Sequence, residues 1–254
     1  LSWSPVHAVS DALDAAFYLA FQTVQPSNAR FMLGVDISAS MGSSMVANTN
    51  LTAREGAAAM TMVTYMTEPF CVAYGFTSAG GRGLWGGGTN GLTDIALSRK
   101  ERLDALSKRM SAMPMGGTDA SLVIKKALAD KLAVDAFVIY TDNETWSGQG
   151  HVSELLNRYR AESGIPARLV AVGMSATEFS VVDPLDAGQF SVVGFDAATP
   201  ALPAEVLGDL KEKLDASNAF LLKAELGEGS SWGCRGGRTR CSPWCGRASR
   251  RRCP

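Results

Sequence analysis

The chain predicts an α/β fold, a doubly wound and mostly parallel sheet flanked by helices, and three observations carry that expectation. Continuous apolar runs such as Phe31-Met32-Leu33-Gly34-Val35 and Phe137-Val138-Ile139-Tyr140 have the character of strands buried on both faces. Segments of helical periodicity alternate with them, which calls for crossovers and a parallel sheet. Two of the runs end in a carboxylate, Asp36 and Asp142. The carboxyl ends of strands are where open α/β sheets place their binding groups.

Taken in order, residues 4–24 read as an amphipathic helix. Ser4 suits the N-cap and Pro5 the first helical position, and Val6, Val9, Leu13, Phe17, Phe21 and Val24 recur at helical spacing. Pro26 ends it. A strand is expected at 31–37, then a helix at 53–67 opened by a Thr52…Glu55 capping box and stopped by Pro69, then a strand at 70–76. Seven glycines in the twelve residues from Gly80 to Gly91 mark a loop, with Trp85 as a candidate contact. A charged helix is expected at 93–112. The Gly116-Gly117 turn leads into a helix at 119–132 and a strand at 136–141. A helix at 151–162, strands at 167–173 and 190–195, and a helix at 203–217 complete the pattern.

A chain of 254 residues accommodates one substantial domain with appendages, and a hydrophobic fraction of 46% with 19% charged residues is that of a soluble globular protein. No apolar run approaches the roughly 20 residues that span a bilayer. The chain opens on Leu1 beside a helix, so it reads as part of something longer. Residues 230–254 hold seven arginines and no acid, so the preceding 229 residues carry −8 against −1 for the whole chain. An acidic body argues against a broad phosphate-gripping face. That body contains one cysteine, Cys71, set in an apolar run and read as a small core residue. Such sparing cysteine use points to the cytoplasm. The tail from Ser230, almost wholly Gly, Arg, Ser, Trp, Cys and Pro, cannot build a core. It reads as the product of a frameshift or as a disordered basic segment. A zinc site is the third option, although its cysteines lack paired C-x2-C knuckles.

The chemistry concentrates at Asp36-Ile37-Ser38-Ala39-Ser40, where one carboxylate and two hydroxyls fall at alternate positions. All three are hard oxygen donors, the kind Mg2+ selects. Thr118 after the glycine turn and Asp142 at a second strand end supply two more. The bland alternative is a serine-rich turn satisfying its own backbone. An aspartyl-phosphate enzyme would want a second acid two residues after the first, and Ser38 stands there. Neither G-x-S-x-G nor a phosphate-binding G-x-x-x-x-G-K-[ST] occurs. His7 and His151 both fall at helix starts, where surface or capping roles are expected. Asp119 is read as the cap of the helix it precedes.

Asp36-Ile37-Ser38-Ala39-Ser40-Met41, Gly116-Gly117-Thr118-Asp119 and Thr141-Asp142-Asn143-Glu144-Thr145 together resemble a von Willebrand factor A (vWA) domain with its metal-ion-dependent adhesion site. More specifically, Pro114 through Ser121, Thr141 through Thr145, Ile165-Pro166-Ala167-Arg168-Leu169 and the stretch Gly173 to Asp196 resemble the carboxyl-terminal A domain of the Ro (TROVE-module) RNA-binding protein family. The opening helix, Ala12 to Tyr18 and Phe21 to Pro26, is similar to that family's connection from its RNA-binding ring. The resemblance covers about residues 3–215 and implies a vWA/Rossmann-like fold. Residues 1–29 would be the connecting helix, 30–222 the vWA domain and 223–254 the tail, which departs from the family.

Carried over by position, the resemblance makes Ser38, Ser40 and Thr118 hydroxyl ligands and lets Asp36 and Asp142 bind directly or through water. The cation would be Mg2+, with Mn2+ the alternative, and Asn143 and Glu144 would support its loop. An open coordination position would take an acidic group of a protein partner. The function implied is a non-enzymatic binding module of a monomeric, cytoplasmic ribonucleoprotein without a membrane segment. It would meet small noncoding RNA through an upstream ring and serve RNA quality control. The competing reading is an adhesion-type vWA module that recruits a protein and has no link to RNA.

Overall fold

A computed structural model of the chain describes residues 6–46, 49–78, 91–114, 116–142, 151–175 and 181–194. Its centre is strand β1, Arg30–Asp36, where six successive residues from Phe31 onward are buried. Parallel to it lie β2, Phe70–Phe76, and β4, Ala136–Thr141, with Val35 paired to Gly75 on one side and Tyr140 on the other. Outward on the β4 side come β5, Arg168–Gly173, and β6, Gln189–Val193, both parallel. On the β2 side a short antiparallel edge strand, β3, Leu92–Asp94, completes a six-stranded sheet of order β3-β2-β1-β4-β5-β6.

Side chains alternate across this sheet and divide the core in two. Phe31, Leu33, Val35, Val138, Tyr140, Val170 and Val172 face α2, Ala53–Thr67, and α3, Leu103–Ser111. Met32, Phe137, Ile139, Leu169 and Ala171 face α4, Ser121–Asp130, and α5, Val152–Ser163. This strict period of two is why the strands read as unbroken apolar runs. Gly34 interrupts β1 for a steric reason: a Cβ there would sit 2.6 Å from Val123 and 2.8 Å from Ile139. The helix α4 can therefore lie close over the middle of the sheet.

Most expected elements stand within two residues of their predicted bounds, and Thr52 and Glu55 form the reciprocal capping box. The region read as a helix over 93–112 is corrected. Its first residues form β3, and a helix begins only at Leu103. The three residues of β3 are too short to show an alternation of their own. The opening helix α1, His7–Ala20, starts from Val6 without a side-chain cap and buries none of its residues; Ser4 and Pro5 lie outside the described residues. Its apolar stripe is exposed at Val6, Val9 and Leu13, whereas Tyr18 and, just beyond the helix, Phe21 pack against the first core half. The Tyr18 hydroxyl accepts from the Leu103 amide at 2.9 Å, tying α1 to the start of α3. Most of the glycine loop with Trp85, the Asn143–Thr145 run, the 203–217 helix and the tail fall outside the described residues. Among the described residues no helix is long and apolar enough to cross a membrane.

Candidate metal centre

From β1 the chain turns outward through β2 to β3, and from β4 it runs the other way through β5 to β6. The carboxyl ends of β1 and β4 therefore meet where the winding reverses, the point at which open α/β sheets form their binding crevice. Asp36 closes β1 and Asp142 directly follows β4, so both carboxylates enter that crevice from neighbouring strands.

Asp36 forms the floor and is fully buried. One carboxylate oxygen, Oδ1, accepts from the Ser38 amide at 2.8 Å, which bends the chain out of the strand. The other, Oδ2, accepts from the Thr141 hydroxyl at 2.8 Å and, more weakly, from the Thr118 hydroxyl at 3.4 Å. The loop then makes a 3-10 turn, Ser40–Gly42, anchored by the fully buried Met41. This turn brings the Ser40 hydroxyl within 3.0 Å of the Ser38 hydroxyl and lets it donate to Asp142 Oδ1 at 3.2 Å. Ser44 donates to Asp142 Oδ2 at 2.7 Å. The third loop is steadied by the Gly117 amide, which donates to Ser78 at 3.2 Å.

The five residues singled out from the sequence, Asp36, Ser38, Ser40, Thr118 and Asp142, are thus gathered in one network. Burial grades outward: Asp36, Ser38 and Asp142 are buried, Thr118 is half-buried, and Ser40, Gly116 and Gly117 are exposed at the rim. Burial pushes the Asp36 carboxyl above its ordinary range. Hydrogen bonds from Ser38 and Thr141 pull it back, while the charge of Asp142 adds to the rise. Two acids confined together in a poorly hydrated place repel, and a cation between them would relieve that repulsion. The donors are all oxygen, with neither histidine nor thiol among them. That suits Mg2+ or Mn2+ and disfavours zinc. Among the described residues no three His, Cys, Asp or Glu side chains are grouped to hold a metal, so a cation held here would take its remaining ligands from hydroxyls and water.

Three participants were not read from the sequence. Ser44 and Thr141 each bond one of the two acids. Arg54, buried in the first turn of α2, donates from Nη2 to the Ser38 carbonyl at 3.0 Å. Thr141, adjacent to a strand-end acid, carried a positional hint. Ser44 and Arg54 follow no spacing that links them to the strand ends. The remaining candidates stand apart. His151 caps α5, its Nδ1 accepting from the Ser153 amide at 3.3 Å, and His7 is exposed on α1. Asp119 accepts from the Ser121 amide at 3.1 Å and from its hydroxyl, bracing the start of α4 from one residue before the formal cap, Ala120. Cys71 packs partly buried against the core; burial, with a contribution from Glu68, pushes its thiol up to about 12, which leaves it unreactive as a nucleophile.

Comparison with known proteins adds an independent observation. Residues 30–206 match the family described as the Ro60 vWA domain. Two curated relatives are similar to this chain, both named RNA-binding protein RO60. One, from Deinococcus radiodurans, is 40% identical over 200 residues, covering 78% of this chain and 35% of its own length. The other, from Caenorhabditis elegans, is 33% identical over 208 residues, covering 81% of this chain and 30% of its own. The chain therefore spans about a third of the length of these relatives. The crystal structure of the Deinococcus radiodurans RO (RSR) protein superimposes with a TM-score of 0.71 at 38% identity, over 82% of this chain and 40% of that one. With the sheet order, the gathered strand-end acids and this match in agreement, the chain belongs to the Ro60 vWA domain family.

Proposed function

We propose that this chain is the vWA portion of a Ro-like RNA-binding protein and acts there as a non-enzymatic, cation-dependent docking module. Asp36, Ser38, Ser40, Thr118 and Asp142 would hold Mg2+, or Mn2+ in its place. When bound, the cation supplies a Lewis-acidic position that an acidic group of a protein partner can complete. Asp36 holds the first loop through the Ser38 amide, and Ser44 fixes both rotation and reach of Asp142. The observation that carries this reading is a pair of buried carboxylates linked through the Ser38 amide and a set of hydroxyls, at the reversal point of the sheet.

Catalysis is disfavoured by the residues themselves. Ser38 occupies the position of the acid that phosphoryl transfer would need, His151 serves as the cap of α5 and His7 is exposed on α1. RNA is assigned to a ring outside this chain, because both curated relatives are named RNA-binding proteins and the body ahead of the tail carries −8. The same reading has the chain monomeric and cytoplasmic.

Titrating the purified chain with Mn2+ by calorimetry tests the module. One saturable site, abolished by EDTA, is expected. Capture of partners from a cell extract, with and without EDTA and ribonuclease, tests the setting. Capture lost on ribonuclease treatment supports the RNA-linked role, and capture indifferent to it favours the adhesion-type alternative.

A further inference from the structure

Arg54 is a buried cation with unusual company. It lies in the first turn of α2, and its guanidinium presses on the loop that carries Ser38 and Ser40. A Cβ added at Gly42 would sit 3.0 Å from Nη1 and 3.3 Å from Cζ, so glycine there lets the guanidinium lie close against the loop. The Nη2 group donates to the Ser38 carbonyl, while Nε is buried with no hydrogen-bond partner. Among the described residues no carboxylate forms an ion pair with it. Every other guanidinium described in an ion pair meets its acid at the surface or partly exposed: Arg30 with Asp135, Arg102 with Asp14, Arg109 with Glu101, Arg158 with Glu162, Arg160 with Asp186. A buried charge without a direct counter-ion is costly and calls for compensation from nearby opposite charge.

The opposite charge to which Arg54 is linked, through Ser38, is that of the proposed metal centre. Ser38 is held from both sides, its amide by Asp36 and its carbonyl by Arg54. We infer that Arg54 is an affinity-setting residue of the cation site: its fixed positive charge offsets Asp36 and Asp142 before a cation arrives, and opposes the cation afterwards. Three buried charges thus leave one net negative charge to attract a divalent ion. The site is held together without metal, and the metal is bound weakly enough that an acidic ligand adds to its retention. This inference rests on the cation-binding reading given above. Arg54 acts through the electrostatic field and through Ser38, so it is a positioning residue and not a ligand.

The charge role and a purely structural role predict opposite signs. Mn2+ affinity is measured by calorimetry on the full chain for wild type, Arg54→Lys and Arg54→Met, with thermal melts in EDTA and in saturating Mn2+. If the charge sets affinity, Arg54→Met tightens Mn2+ binding by about tenfold or more, because one unit of like charge has been removed from a poorly screened site. Arg54→Lys stays within about threefold of wild type. Arg54→Met also melts lower in EDTA and regains most of that loss in Mn2+, as linkage requires of a tighter ligand. If Arg54 only props the loop, Arg54→Met weakens binding and melts lower in both conditions, and the inference is overturned. Should Arg54→Met fail to fold, Arg54→Gln, which keeps a donor, decides by the same sign. Failure of the underlying reading looks different: wild type itself then binds no Mn2+, or Asp36→Ala binds it as wild type does.

Discussion

Strand β4 is flanked by two aspartates that live in opposite worlds. Asp135, just before it, receives a bidentate grip from Arg30, at 2.8 Å from Nε and 2.6 Å from Nη2, and also accepts the Arg30 amide. Burial tends to raise its carboxyl, but Arg30 wins and holds it below the ordinary range. Asp142, just after the strand, is met by Ser40 and Ser44, and across the crevice Asp36 is pushed up. The amino edge of the sheet is thus a closed edge: Glu68, ahead of β2, is met by the Ser27 hydroxyl and the Ser27 and Asn28 amides, and Asp135 is neutralised by arginine on the spot. Asp186, held by Arg160 before β6, repeats the pattern. At the carboxyl edge neither Asp36 nor Asp142 has an ion pair among the described residues; hydroxyls and the Ser38 amide meet them, and Arg54 reaches only the Ser38 carbonyl. Under the proposed function, stability and binding fall to opposite ends of the same strands.

The largest effect that could break this contrast is Asp36→Asn. It keeps one acceptor oxygen for the Ser38 amide and turns an NH2 donor towards the Thr141 hydroxyl, which can accept, while removing one of two site charges. Mn2+ affinity should fall about 100-fold or more, roughly 2.7 kcal/mol. The metal-free melting temperature should hold or rise, since a desolvated charge has been deleted. A lower melting temperature in EDTA with unchanged Mn2+ affinity would make Asp36 a structural acid like Asp135. At the closed edge, Arg30→Ala should do the reverse. It should cost about 1 kcal/mol in urea unfolding, a modest sum because the paired side chains are 44% and 30% exposed, and leave Mn2+ affinity unchanged.

Acid titration sharpens the comparison further. Burial is the largest single influence on Asp186 and raises it, but hydrogen bonds from Arg160, Gln189 and the Gly188 amide, with the charge of Arg160, together outweigh it and lower the carboxyl to about 2. A carboxyl depressed in the folded state binds fewer protons there than in the unfolded chain. Its contribution is therefore complete above about pH 4 and drains away as pH falls towards 2. Comparing urea midpoints of wild type and Asp186→Asn across that range should show the wild-type advantage closing. A gap that stays constant would remove Asp186 from the closed edge. The smallest effect is expected for Ser44→Ala, which frees Asp142 Oδ2 from a single hydroxyl. About threefold weaker Mn2+ binding with little change in melting temperature is predicted, since such a bond is worth on the order of 1 kcal/mol or less.

The open edge was more legible in the sequence than the closed one. Asp36 and Asp142 end unmistakable buried strands, so their convergence followed from the topology of a parallel sheet alone. Thr118 followed from a glycine turn that could only sit at the same rim. Long-range partners left no such mark. The grip of Arg30 on Asp135 spans 105 residues, and no sequence spacing links Arg54 to the Ser38 carbonyl. Edge strand β3 was misread as the start of a helix because three residues hold no periodicity and charged residues follow. The apolar stripe of α1 was legible as amphipathic, yet amphipathicity does not say what covers it, and Val9 and Leu13 are exposed.

Crystals soaked in Mn2+ and measured at the manganese absorption edge address the carboxyl edge most directly. One anomalous peak is predicted, lying among Asp36, Ser38, Ser40, Thr118 and Asp142. An empty crevice at saturating Mn2+, or a peak only beside Asp135 or Asp186, would contradict the account.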